Sequence, residues 1–202
     1  CAHSKLSLAG HSTRSVQFLS DQAMLDAFVI AGNTPEEIIR GYRDLTGYPP
    51  MLPLWSFGVW MSRMTYFSAD EVSEICDRMR REHYPCDVIH LDTGWFKTDW
   101  LCEWKFNEER FPNPKEFIYG LKDKGYRVTL WQLPYVADDA EQIEEAKAND
   151  YIGPLTKVQD SEGSNFSSLD YAGTIDFTYP KATEWYKNLL KNLLDMGVAG
   201  IK

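Results

Sequence analysis

From Leu54 onward the sequence repeats one unit: a short apolar run, a loop, then an amphipathic stretch opened by a capping residue or proline, two of which glycine closes. Ser68-Ala69-Asp70-Glu71 is a capping box, with a hydroxyl for the first turn and a carboxylate three residues on. Val72, Ile75, Cys76 and Met79 follow at the spacing of one helix face. Asp87 to Asp92 then reads as a strand. Asn113 is expected to cap the next helix, Pro114 to open it and Glu116 to complete its box. Lys122, Lys124 and Gly125 close that helix. Tyr126 to Trp131 reads as another strand. Pro180 opens a helix carrying Ala182, Trp185, Leu189, Leu193 and Met196, which Gly197 stops; Val198 to Lys202 is again strand-like. Trp55 to Met61 is expected to be the first strand of the series, and buried. Asp138 to Asn149 is expected to be helical, and the polar stretch 150–175 irregular.

Strands joined through helices run parallel, because each helix returns the chain to the edge where the last strand began. The class is therefore α/β, with helices covering a parallel sheet. A (β/α)8 TIM barrel and a doubly wound sheet both satisfy the pattern. No glycine-rich phosphate loop follows any of the strands, which counts against a dinucleotide fold. A whole barrel takes about 250 residues and only about 150 follow Pro50, so a partial barrel of about its first four strands fits residues 54–202.

Residues 33–53 read as a linking helix and connector. Thr34-Pro35-Glu36-Glu37 forms another capping box, Ile38, Ile39, Tyr42 and Leu45 share a face, and Gly47 with Pro49-Pro50 ends the element. Residues 1–32 read as β: Ser15 to Leu19 and Leu25 to Ile30 are strand-like, with turn chemistry at Ser20-Asp21-Gln22. Two strands cannot bury themselves. They are expected to be the tail of a sheet domain, and a start at Cys1 rather than Met points to a piece of a longer protein.

Composition excludes some partners. A net charge of −9 opposes binding to a polyanion, so nucleic acid and anionic membrane are poor partners, while a neutral sugar meets no such penalty. No apolar run approaches the roughly 18 residues of a membrane span. The four cysteines, Cys1, Cys76, Cys86 and Cys102, form no C-x-x-C pair. With the four histidines scattered at His3, His11, His83 and His90, no zinc spacing results. The cysteines are expected to be reduced thiols in or near the core, which slightly favours a cytoplasmic setting.

Barrels of this kind place chemistry at the C-terminal ends of their strands. Those ends read Val59-Trp60-Met61, His90-Leu91-Asp92-Thr93-Gly94-Trp95 and Leu130-Trp131-Gln132-Leu133-Pro134-Tyr135, with Trp100 and Trp104 in a following loop. An indole covers the apolar face of a pyranose, and a carboxylate accepts from two hydroxyls at once. Lys202 ends an apolar strand, where a lysine is costly unless a carboxylate pairs with it. No nucleophile elbow or Ser/His/Asp arrangement is present. Asp87, Asp92, Asp99 and Glu103 offer carboxylates, but nothing in their spacing demands the pair, about 5–5.5 Å apart, of a retaining glycosidase.

From about Phe28 to Lys202 these motifs resemble glycoside hydrolase family 31, in its bacterial α-xylosidase-like branch. Thr46-Gly47-Tyr48-Pro49-Pro50 and Leu54-Trp55-Ser56-Phe57-Gly58 are similar to the family's lead into its barrel. His90 to Trp95 resembles its H-x-D-x-x-W strand end, Phe111-Pro112-Asn113-Pro114 its F-P-D-P helix start, and Leu130 to Tyr135 its third strand. Ile175-Asp176-Phe177-Thr178 with Pro180 resembles its D-F-T-N-P segment.

The resemblance implies substrate binding by Asp92, Thr93, Trp131 and Lys202. Asp92 would accept hydroxyls of the terminal sugar, and Trp131 would line the −1 subsite. Lys202 matches the lysine of a Lys-Thr-Asp-Phe-Gly-Glu stretch whose aspartate is the nucleophile. That aspartate is expected two residues past Lys202 and the acid/base later still, so no catalytic carboxylate is expected within the chain. The N-terminal strands would belong to a β-sandwich. No metal or organic cofactor is implied. The implied partner is an oligosaccharide or glycoside, not nucleic acid or membrane, and the oligomeric state stays open.

Departures from the family pattern are Thr93-Gly94 in place of bulkier residues, Tyr179 in place of Asn, and Phe106-Asn107 in place of Trp-Asp. The small Gly94 is expected to enlarge the pocket towards glucosides or galactosides. The expected activity is hydrolysis of terminal non-reducing α-xylosides or α-glucosides by double displacement. The alternatives are a non-catalytic carbohydrate-binding or scaffold barrel, and an unrelated barrel hydrolase. Residues 1–202 alone are expected to be inactive and, with an open sheet edge, prone to aggregate.

Overall fold

A computed structural model describes residues 4–21, 23–24, 26–98, 100–154 and 171–202. Cys1, His3, Leu25 and Asp99, and most of the stretch expected to be irregular, lie outside the described residues. The chain forms two compact units, Cys1–Met51 and Leu52–Lys202.

In the first unit β1 (Ser4–Leu8) pairs antiparallel with β2 (Val16–Ser20), Ser4 opposite Ser20 and Leu8 opposite Val16. The expected strand at 15–19 is thus present, but its partner precedes it. Residues 26–30 join no ladder, and Phe28 and Val29 are exposed, so no buried face drives pairing there. A sandwich needs a second packed sheet, and the described residues of this unit hold only the hairpin and α1 (Pro35–Thr46). Thr34 caps α1 by accepting from Glu37 N–H at 3.3 Å. Glu37 reaches back to Asn33 N–H at 2.7 Å, one residue further out than the usual box.

The second unit opens with a 3-10 turn at Leu54–Phe57 and β3 (Trp60–Ser62). It continues through α2 (Ala69–Arg81), β4 (Val88–Leu91), α3 (Pro114–Asp123) and β5 (Arg127–Leu130). Next come β6 (Tyr135–Ala137), α4 (Ile143–Ala148), β7 (Ile152–Gly153), β8 (Tyr171–Ile175), α5 (Pro180–Asp195) and β9 (Gly200–Ile201). The main sheet runs β3-β4-β5-β9, every pair parallel. Strand order follows chain order without the reversal that defines a doubly wound sheet. This is the order of an opened TIM barrel, with β3 and β9 as its outer strands.

The same helix ending feeds each strand of this sheet after β3. His83, Gly125 and Gly197 all sit at positive φ just past α2, α3 and α5. Each donates to the carbonyl three residues back, and its successor donates five back: Tyr84 to Met79, Tyr126 to Leu121, Val198 to Leu193. This is the Schellman motif, which satisfies the last carbonyls and turns the chain towards the sheet.

Several expectations are corrected. Trp55 to Met61 is not a buried strand: its first three residues belong to the 3-10 turn, and only Trp60 and Met61, 46% and 38% exposed, belong to an outer strand. Asp87 sets this local course, its Oδ2 accepting from Val59 N–H at 3.0 Å. A Cβ on Gly58 would fall 2.1 Å from that same oxygen. Asn113 makes no side-chain cap; it adopts the left-handed conformation, which asparagine tolerates, at φ 49°. The helix expected over 138–149 covers only Ile143–Ala148. The region 150–175 is not irregular throughout, because β8 pairs antiparallel with both β6 and β7. Strands of two to five residues are too short to carry a readable period.

The core lies between the sheet and its helices. Ile89, Leu91, Val128 and Leu130 pack with Val72, Cys76, Ile118, Leu121 and Leu193. Burying each large aliphatic side chain contributes about 1.5–3 kcal/mol. Arg80 ties α2 to the far end of this core: it donates to the carbonyls of Lys124 and Cys86 and lies over the Tyr126 ring.

Candidate active site

Side chains alternate along a strand. Ile89, Leu91, Val128 and Leu130 occupy the helix-facing core, so His90, Asp92, Thr129 and Trp131 belong to the opposite face. In register across the strands, Ser62, His90, Thr129 and Gly200 form one row. Ser62, His90 and Thr129 make that row polar, whereas Ile89 and Val128, one residue earlier, belong to the aliphatic core.

One residue further, the ladder continues past the strands. Trp131 N–H donates to Leu91 O and Lys202 N–H to Leu130 O, both at 2.8 Å. Gln132 N–H donates to Lys202 O at 3.2 Å. These bonds hold the backbones of Asp92, Trp131 and Lys202 side by side at the C-terminal rim of the sheet. Lys202 Nζ donates to Asp92 Oδ2 at 2.9 Å, so the apolar strand's terminal lysine has the carboxylate partner that its position requires. The Asp92 side chain is only 14% exposed, while that of Lys202 is 61% exposed. Asp92 Oδ1 carries no hydrogen bond among the described residues.

Trp131 is half-buried. Trp100 stands edge-on to it with centroids 5.7 Å apart, and Phe96 lies at 5.8 Å. Trp95 is fully buried and donates its indole N–H to Trp131 O at 2.9 Å. Trp104 is buried as well, donating to Gln132 Oε1 at 3.2 Å, and Tyr186 O–H donates to the same oxygen at 2.5 Å. Among the rim tryptophans, Trp131 and Trp100 therefore keep exposed surface, and Trp95 and Trp104 support them from within.

Thr93 differs from the other expected site residues. It is fully buried, and its hydroxyl shares a hydrogen bond with Thr65 Oγ1 at 2.8 Å. Gly94 does not open a pocket. A Cβ there would meet Thr65 Cγ2 at 2.1 Å and Tyr66 O at 2.7 Å, so the missing side chain lets the segment after β3 close against the rim loop. Phe106 and Asn107 also shape this loop. Phe106 packs on Trp95 at 4.9 Å, and Asn107 Oδ1 accepts from the N–H groups of Glu109 and Arg110. Asp176 organises the turn before α5, accepting from both the N–H and the hydroxyl of Thr178, and these bonds hold its carboxyl below the usual range.

Asp87 cannot pair with Asp92. It precedes β4 while Asp92 follows it, about 16 Å apart along an extended chain. Glu103 accepts from Lys97 N–H at 3.0 Å, and burial raises its pKa.

His90 and Gln132 stood within recognised sequence motifs without an assigned role. Gln132 joins α5, the aromatic loop and the end of β9 through one amide. His90 lies directly beneath Asp92, 5% exposed, with Nδ1 2.9 Å from Thr129 Oγ1 and Nε2 3.5 Å from Asp92 Oδ2. Burial lowers its pKa from 6.5, Lys202 lowers it further, and Asp92 works in the opposite direction. Among the described residues no cluster of His, Cys, Asp and Glu is arranged to hold a metal ion.

The sequence matches the Glycosyl hydrolases family 31 TIM-barrel domain over residues 49–202. An α-xylosidase, XylQ, from Lactiplantibacillus pentosus is 37% identical over 193 residues, covering 93% of this chain and 24% of that protein. An α-xylosidase from Emericella nidulans is 32% identical over 202 residues, covering 98% of this chain and 25% of that protein. Among solved structures, the family 31 dextranase of Flavobacterium johnsoniae complexed with glucose superposes with a TM-score of 0.75 at 26% identity. It covers 98% of this chain and 24% of its own. A family 31 α-xylosidase from a soil metagenome, complexed with xylose, gives 0.72 at 27% identity, covering 85% of this chain and 25% of its own. The chain spans about a quarter of the length of the curated relatives it matches. With this barrel order, this polar rim and these matches, the chain belongs to glycosyl hydrolase family 31, and its residues 49–202 are a segment of that family's TIM-barrel domain.

Proposed function

We propose that the protein carrying this segment is a retaining α-glycosidase that removes a terminal non-reducing α-linked xylose or glucose from a glycoside. The observation that carries this reading is the state of Asp92. One carboxylate oxygen is held by Lys202, and the other is an acceptor without a partner among the described residues, at a rim walled by indoles. Asp92 Oδ1 then accepts from a sugar hydroxyl, and the faces of Trp131 and Trp100 cover the ring's C–H surface. Thr93 acts from beneath, fixing the loop through Thr65. The relatives named α-xylosidase and α-glucosidase support the same substrate class.

The chemistry is double displacement: a carboxylate attacks the anomeric carbon, a second protonates the leaving oxygen, and water then releases the covalent glycosyl-enzyme with retention. Both carboxylates come from outside these residues. The segment's part is to bind and orient the sugar, which lowers the barrier by fixing the reacting geometry.

The test is hydrolysis of p-nitrophenyl α-xyloside and α-glucoside by the intact protein, with Asp92→Ala alongside. A charge-assisted hydrogen bond contributes about 1.5–3 kcal/mol, so losing both acceptor oxygens should lower kcat/KM by about 100-fold or more. Hydrolysis of neither glycoside, or near-normal turnover in Asp92→Ala, would remove the assignment.

A further inference from the structure

His90 lies on β4 and Asp92 two residues on, just past the strand's end, and their side chains approach on one face. An ionised carboxylate offers only acceptors, so the imidazole nitrogen facing Asp92 Oδ2 is the one that carries a hydrogen. In a neutral imidazole the other nitrogen is then an acceptor. Nδ1 lies 2.9 Å from Thr129 Oγ1, its neighbour in the strand register, so that hydroxyl is the donor. Nε2 is buried and has no well-formed hydrogen bond among the described residues; its nearest polar neighbour is Asp92 Oδ2 at 3.5 Å. That separation is longer than a formed bond, and bonds of this kind tighten when a ligand engages the carboxylate.

We propose that His90 is a positioning residue for Asp92: Thr129 selects its tautomer, and His90 Nε2–H and Lys202 Nζ together hold Oδ2 so that Oδ1 faces the sugar. The inference rests on the reading that Asp92 binds substrate. It assigns the buried polar row beneath the rim a part in recognition, and explains why histidine and threonine occupy a layer where aliphatic residues would pack without unsatisfied polar atoms.

The two ring nitrogens can be tested separately in the intact protein. His90→Gln sets an amide nitrogen near the place of Nε2, whereas His90→Asn sets one near Nδ1. His90→Gln should keep kcat/KM for the better p-nitrophenyl glycoside within about 10-fold of wild type, and His90→Asn should lose about 100-fold. The reverse order, or two variants equal to wild type, overturns the proposal. Thr129→Val removes the donor at nearly constant volume and should cost about 10-fold, with Thr129→Ser restoring activity. If the His90 variants do not fold, this pair decides: Thr129→Val equal to wild type, or Thr129→Ser no better than Thr129→Val, also overturns it. Asp92→Asn separates the two readings. Wild-type turnover in Asp92→Asn sinks the substrate-binding role itself, while a collapse there beside unaffected His90 and Thr129 variants sinks only the positioning role.

Discussion

Lys202 Nζ stands 2.9 Å from Asp92 Oδ2, joining the ends of β9 and β4 across the intervening β5. The partners lie 110 residues apart in sequence, and only the parallel order of the strands brings them together. The pair orients a carboxylate more than it stabilises the fold, because the lysine side chain is mostly in solvent.

Lys202→Met should therefore separate function from stability. In the intact protein it should lower kcat/KM by about 10-fold or more through loss of a charge-assisted bond, with the thermal midpoint within about 2 °C of wild type. Steady-state kinetics and a melting curve on one preparation check both halves. A large fall in melting temperature with normal kinetics would make the pair structural instead.

Gly94→Ala tests how the rim loop closes. The added methyl would collide with the Thr65 side chain and the Tyr66 carbonyl in a buried setting. Overpacking of this kind costs about 1–3 kcal/mol. A lower denaturation midpoint is expected, together with weaker substrate binding as the loop shifts beside Asp92. Unchanged stability would mean that the segment after β3 moves aside freely.

Cys76, Cys86 and Cys102 are free and buried, and burial pushes the thiols of Cys76 and Cys102 up to about 12. The thiolate is the reactive form, so these residues should resist iodoacetamide in the native protein at neutral pH. Peptide mapping should find all of them unmodified before denaturation and alkylated after it. Rapid native labelling at Cys102 would show that the loop over it opens.

The helices were legible in the sequence because their signals are local. Thr34 and Ser68 cap as their spacing predicts, and Gly125 and Gly197 turn the chain where the apolar stripe ends. His83 performs the same turn without glycine, and its left-handed conformation leaves no mark in composition. The short strands β6, β7 and β8 escaped notice because two to five residues make no period, and their pairing is non-local. In the site, Asp92, Trp131 and Lys202 were legible as strand-terminal residues once the strands were placed. Burial was not: nothing local shows that the Thr93 hydroxyl turns inward to Thr65, nor tells that Gly94 faces the same residue. His90 was visible only as a motif letter, since its meaning depends on Thr129, a residue on another strand.

The most direct test of the rim is a crystal structure of the intact protein with the product sugar, xylose or glucose, bound. A hydroxyl of the terminal sugar is expected within about 3 Å of Asp92 Oδ1, with Lys202 still on Oδ2 and the ring beside Trp131. A sugar seated elsewhere, or bound with the Asp92 carboxylate turned away from it, would contradict the account.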